Sequence, residues 1–213
     1  MKSLLLFSWL LVGAEPPADG TLIFLENCNS FVEFATRGEI GHVAIALADE
    51  RTPWVYEATP GHVRRVAAAE YLAELARLNE RRREAKQIRV WSLAPQSDYC
   101  DEEIARMREY LDGQLGRRYS VKNYVVGEPG DGIHCAELAA STLNASGRFA
   151  FDECHRIHPT ALHRAVLPQH APATEIALAS LAQEAWCLRA QRRWGGWFSW
   201  CGWSCGEAWS FCW

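Results

Sequence analysis

Apolar positions along the chain alternate between short β-type runs and helical spacings. Thr21-Leu22-Ile23-Phe24-Leu25 is a first β-type run, after a Pro/Gly-rich lead-in over residues 15–20. Ser30 with Glu33 three residues on has the form of a capping box, opening a short helix through Phe34 that Gly38 ends. Gly41-His42-Val43-Ala44-Ile45-Ala46-Leu47 is a buried-strand signal with His42 at its mouth. Trp54-Val55-Tyr56-Glu57-Ala58 follows, stopped by Thr59-Pro60-Gly61, and the spacing pairs the two runs as an antiparallel hairpin across residues 49–53. Residues 66–86 then read as a helix with Tyr71, Leu72, Leu75 and Leu78 on one side. Ile88-Arg89-Val90-Trp91-Ser92-Leu93 alternates like a half-buried strand and stops before Pro95. A helix over 101–115, capped by Ser97 or Asp98, buries Ile104, Met107, Leu111 and Leu115.

Pro129-Gly130-Asp131-Gly132 cannot continue regular structure and marks a tight loop. It runs into a helix beginning near Cys135, with Leu138 and Leu143 roughly on one face and Gly147 as its stop. Pro159 opens another short helix, and residues 174–191 make a last one through Ile176, Leu178, Leu181, Ala185 and Leu188.

The 213 residues, 49% of them apolar, suffice for one domain with a proper core. A net charge of −4 and a pI near 6.0 argue against a nucleic-acid partner, which needs a basic face. Lys2, the apolar run Leu4–Leu11 and the small residues Val12-Gly13-Ala14 have the layout of a secretory signal, so residues 1–14 are expected to be removed after Ala14. The run is too short to span a bilayer and no lipoprotein cysteine follows it, so a secreted or periplasmic location is expected. Residues 15–168 form the expected domain, 169–193 a C-terminal helix, and 194–213 a tail rich in Trp and Cys. Indole rings suit a membrane interface, but disorder or non-native sequence accounts for this tail better. Besides Cys135 there are cysteines at 28, 100, 154, 187, 201, 205 and 212; in an exported protein some of them pair, in an order that spacing does not define.

Candidate chemistry centres on Cys135. At a helix N-terminus, unpaired backbone N–H groups and the macrodipole favour an anion, and the thiolate is the nucleophilic form of cysteine. Such a nucleophile needs a base and a group to orient that base. Antiparallel pairing of the two strands would bring His42, at the start of one, near Glu57, at the end of the next. Glu57 could then accept from one imidazole nitrogen and leave the other for the thiol proton. Cys154-His155 with His158 and His163 is a weaker candidate, because its spacing fits no closed zinc pattern, and neither metal nor cofactor is expected. Arg81-Arg82-Arg83, interleaved with Glu80 and Glu84, reads as a solvated helix end.

Asp19-Gly20-Thr21-Leu22-Ile23-Phe24, Gly41-His42-Val43-Ala44-Ile45, Tyr56-Glu57-Ala58, Gly116 to Tyr119 and His134-Cys135-Ala136-Glu137-Leu138 occur in a familiar order. Over residues 19–168 the chain resembles the circularly permuted papain-like cysteine hydrolases of the NlpC superfamily, specifically the YaeF/YiiX-type amidases. In that group the histidine strand precedes the cysteine helix. The resemblance implies an α+β fold of the permuted papain-like (NlpC) type, a small antiparallel sheet packed against helices. It also implies Cys135 as nucleophile, His42 as base, Glu57 as orienting group, and an oxyanion hole that uses the Cys135 backbone N–H. Three positions depart from the family pattern: His134 stands for an aromatic, Ala136 for Ser, and Ser120 for an acidic residue. Glu137 matches the family motif and is expected to support the helix start.

Three functions follow for comparison. One is an amidase or peptidase that cleaves a small peptide or other amide, cell-wall peptides included, through a thioester acyl-enzyme. A second is a lipid-directed acyltransferase or acylhydrolase of the lecithin retinol acyltransferase-like type. The third is a non-catalytic binding module, which would have no need of an intact Cys135, His42 and Glu57 set.

Overall fold

The computed structural model describes residues 17–29, 32–33, 36–49 and 52–178. The expected signal segment, Ser30 and Phe34 of the expected capping-box helix, the far part of the expected 174–191 helix and the tail 194–213 lie outside the described residues.

Strands β1 (Thr21–Glu26), β2 (Ile40–Asp49), β3 (Thr52–Ala58), β4 (Val63–Ala67), β5 (Arg89–Leu93) and β6 (Thr174–Ile176) form one sheet in the order β4-β3-β2-β1-β5-β6. Every neighbouring pair is antiparallel. The expected hairpin is present, with β2 and β3 paired from Ile45–Tyr56 to Asp49–Thr52. Among the described residues five α-helices join the sheet: α1 (Ala68–Asn79), α2 (Asp101–Gln114), α3 (Lys122–Val126), α4 (Cys135–Ser146) and α5 (Pro159–Val166). No helix among the described residues is long and apolar enough to cross a membrane.

The sheet is covered on both faces. On one, Leu22, Phe24, Val43, Ile45 and Leu47 pack with Met107 and Leu111 of α2, Leu138 and Leu143 of α4, and Leu162 and Val166 of α5. On the other, Ile23, Leu25, Val55 and Val90 pack with Tyr71 and Leu75 of α1. That double cover explains why β1 and β2 are unbroken apolar runs, where an antiparallel sheet with one wet face would alternate. The fold class read from the chain is the one observed, α+β with an antiparallel sheet packed against helices.

Nearly every residue of α4 is buried, and Gly147 closes it at φ 89°, a left-handed cap that glycine adopts without strain. Leu143 is completely buried between α4 and its neighbours. Leu143→Ala is expected to cost about 2–5 kcal/mol of stability through lost burial and the cavity left behind. Chemical denaturation checks this, and a change below about 0.5 kcal/mol would mean that α4 is not a packing centre of the fold.

Several elements differ from expectation. Residues 66–86 are not one helix. Val63–Ala67 is β4, α1 spans Ala68–Asn79, and Glu84–Lys86 is a separate 3₁₀ turn. Val63 and Val66 sit three apart like helix positions, but β3 offers an edge, and pairing Glu57 with Arg64 and Ala58 with Val63 settles the segment as strand. Leu78, at the end of α1, is 48% exposed. Thr174–Ile176, expected to be helical, pairs with Val90–Ser92 of β5, in keeping with the β preference of Thr and Ile. Helix α2 is capped by Cys100, whose N–H donates to Glu103 at 2.9 Å, in place of Ser97 or Asp98. It ends one residue early, leaving Leu115 exposed. Arg82 is not purely solvated, since its guanidinium donates to the carbonyls of Asn27, Cys28 and Lys86. Cys28, Cys100, Cys135 and Cys154, the cysteines among the described residues, are free thiols.

Candidate active site

His42 reaches the site through an irregularity in β2. The β1–β2 register runs from Thr21–Ala46 to Leu25–His42, after which Glu26 pairs with Ile40 and leaves Gly41 as an extra residue. Such a bulge bends its strand and re-aims the neighbouring side chains. The site is tight: a Cβ on Gly41 would lie 2.8 Å from Glu33 Oε1, 2.9 Å from Cys28 Sγ and 3.0 Å from the Asn29 backbone nitrogen, so a larger residue would have to push these neighbours aside. The β2–β3 ladder stops at Ile45–Tyr56. Beyond it the strands are joined by side chains, with His42 Nε2 2.7 Å from Glu57 Oε2.

Glu57 is buried and both of its oxygens are used. Oε2 takes His42, while Oε1 accepts from Arg64 Nε at 2.8 Å and lies 2.6 Å from Arg64 Nη2. Arg64 stands opposite Glu57 in the β3–β4 register and also grips Glu74 of α1 at 2.6 Å. Burial alone would raise the Glu57 pKa, but the hydrogen bonds and charges of His42 and Arg64 hold it below the usual carboxylate value. A carboxylate kept ionised in this way is suited to fix an imidazole and to stabilise its protonated form.

Cys135 is the first residue of α4 and is buried. The Pro129–Gly132 loop delivers it: Arg117 donates to the carbonyls of Gly130, Asp131 and Gly132, and Asn123 of α3 donates to Gly132 at 2.8 Å. Burial pushes the thiol pKa up, but the charge of His42, first among the opposing causes, and the neighbouring His42 and His134 rings outweigh it, bringing it down to about 5. Burial works against a charge on His42 as well. The thiolate beside it and the bond to Glu57 overcome that and raise its pKa to about 10. Both shifts favour a thiolate beside an imidazolium. With Nε2 engaged by Glu57, Nδ1 is the nitrogen left for the cysteine.

The structure therefore brings His42, Glu57 and Cys135 into one cluster. It adds two residues the sequence had not singled out as site members. Arg64 lies just before the expected 66–86 helix, in a stretch for which the sequence indicated no element. His134 was noted only as a departure from a family motif, although a residue directly before a helix start is a capping candidate. Its Nδ1 accepts from the Glu137 N–H at 3.3 Å, and its Nε2 lies 3.0 Å from the His155 carbonyl.

The second candidate cluster is otherwise engaged. His155 Nε2 faces the Gly127 carbonyl, His158 caps α5 by accepting from the Ala161 N–H, Cys154 meets Asn144, and His163 packs edge-on against Phe24. Among the described residues no group of three or more His, Cys, Asp or Glu could hold a metal ion.

No protein-family model matches the chain. No curated protein sequence matches it either. Among solved structures, the chain is similar to the crystal structure of the metalloprotein YiiX from Escherichia coli O157:H7. The TM-score is 0.54 and the identity 16%, over 78% of this chain and 99% of that one. This likeness shows the fold, and it is the fold implied by the motif order. The metal in that protein's description has no counterpart among the described residues of this chain.

Proposed function

We propose that this chain is a cysteine hydrolase of the permuted papain-like, NlpC-superfamily type, cleaving an amide bond through a thioester acyl-enzyme. The observation that carries the reading is the 2.7 Å bond between His42 and Glu57, formed where Cys135 opens a buried helix.

The Cys135 thiolate attacks the amide carbonyl carbon, and the carbonyl oxygen becomes an oxyanion. By helix geometry the first-turn amides of Cys135 and Ala136 have no intrahelical acceptor. The Cys135 N–H is thus available to the oxyanion, an effect worth ~3 kcal/mol in acyl transfer. His42 gives its Nδ1 proton to the departing amine, the C–N bond breaks, and the thioester remains. Neutral His42 then takes a proton from water, the hydroxide attacks the thioester, and Cys135 leaves again as thiolate. Glu57 keeps the ring aligned and balances its charge through both halves of the cycle.

A peptide substrate, including a cell-wall fragment, and a location outside the cytoplasm complete the proposal; they rest on the family resemblance and on the leader-like pattern of residues 1–14. The test is a panel of short peptides, cell-wall peptide fragments and phospholipid acyl donors, each offered to the wild-type chain and to Cys135→Ala. Amide cleavage that disappears in the variant is expected. Acyl transfer from the lipid donors with no amide cleavage would replace this reading with the lipid-directed one.

A further inference from the structure

His134 differs from His42 in how its ring is held. Both of its nitrogens face backbone partners, the Glu137 N–H at 3.3 Å on Nδ1 and the His155 carbonyl at 3.0 Å on Nε2. In that state the ring is neutral, with the proton on Nε2. Yet the ring also faces two groups that favour a charged form. One is the sulfur of Cys135, the next residue. The other is Glu137, whose Oε2 lies 3.8 Å from Nε2 and is buried with no hydrogen-bond partner among the described residues. An orphaned carboxylate oxygen in the interior is costly unless a charge balances it. The ring of Tyr124 from α3 also stands edge-on to it, centroids 6.1 Å apart, and adds no ion. His134, Cys135 and Glu137 thus repeat on one helix turn the imidazole, sulfur and carboxylate set that His42 and Glu57 make from the sheet.

We propose that His134 is a second imidazole partner of the nucleophile, hydrogen-bonding the Cys135 thiolate through Nδ1 and charge-balanced by the buried Glu137 carboxylate. When the ring gains a proton, Nδ1 stops accepting from the Glu137 N–H and donates to the sulfur. The lost cap bond is exchanged for a charge-assisted one, and Nε2 keeps its bond to His155. Burial opposes the charged ring, but the bond and charge of Cys135 and the pull of His155 and Glu137 raise the His134 pKa above its ordinary value. His42 remains the base, with Nε2 held by Glu57 and Nδ1 left for the sulfur. Glu137 acts through His134 and is a positioning residue.

This inference rests on Cys135 being an activated nucleophile, and one experiment separates the two claims. The full chain is treated with iodoacetamide between pH 4 and 9, and alkylation of Cys135 is followed by peptide mapping, alongside the melting temperature. His134→Asn keeps a good helix-capping acceptor but removes the imidazole. Glu137→Gln keeps the shape but removes the counter-charge. Both should move the acid limb of the profile to higher pH, with alkylation there about tenfold slower for His134→Asn, as loss of a hydrogen bond to a charged group implies. Glu137→Gln should shift it less. A residue that merely caps the helix would change the melting temperature and leave the profile in place, so a His134→Asn profile superimposed on wild type overturns the inference while the nucleophile reading stands. A wild-type Cys135 no more reactive than a free thiol overturns both.

Discussion

Cys135→Ala and His42→Ala should each remove nearly all turnover of whichever amide the panel identifies, by about 10⁴-fold or more, and the double variant should be little worse than either. The expectation follows from the mechanism. Without the sulfur there is no acyl-enzyme. Without His42 the sulfur loses its imidazolium, and the leaving amine loses its proton donor. Residues that act in one step do not lose independent increments when removed together. Glu57→Gln should be milder, since the amide can still meet the ring and only the charge balance is lost. Steady-state kinetics on the four variants checks this, and a double variant whose loss equals the product of the single losses would mean that the two residues act in separate steps.

The second large effect is in the pH dependence of Cys135 alone. An acid whose pKa in the folded protein lies below its ordinary value is charged above that lowered pKa. Its thiolate is therefore present at neutrality and lost as pH falls through about 5. The partner imidazolium persists until pH rises through about 10. Between pH 9 and pH 6, alkylation of Cys135 should change less than about threefold, whereas a small-molecule thiol with pKa ≈ 8.5 slows by about a hundredfold or more. In His42→Ala the profile should move toward that of the free thiol, because the largest stabilising charge is gone. The same linkage bears on stability. The ion pair stabilises the fold across this window and ceases to do so as pH falls through about 5, where the thiolate is protonated, or rises through about 10, where the imidazolium is lost.

The strands that carry His42 and Glu57 were legible because both are bounded by turn residues and full of apolar ones. The helix start at Cys135 was legible from the glycines before it. What escaped was set by partners distant in sequence. Val63 and Val66 sit at a helical spacing, and the free edge of β3 makes Val63–Ala67 a strand; with a helix expected only from residue 66 and no element before it, Arg64 could not be seen opposite Glu57. Thr174–Ile176 became β6 for a similar reason, the open edge of β5. The bulge at Gly41 leaves no local signature beyond the glycine itself, since it arises from the register against β1. His134 carried a usable signal, a polar residue at a helix entrance. Its second bond, to the His155 carbonyl, depends on a turn twenty-one residues away.

The most direct test of the central claim is to trap the acyl-enzyme. The wild-type chain is mixed with p-nitrophenyl acetate, an activated donor that needs little substrate recognition, quenched in acid within the first turnover and peptide-mapped by mass spectrometry. A burst of one nitrophenolate per chain is expected, with one acetyl group on the Cys135 peptide, labile to hydroxylamine as a thioester is, and neither in Cys135→Ala. An acetyl group found on other residues with Cys135 unmodified, or an undiminished burst from the Cys135→Ala chain, would contradict it.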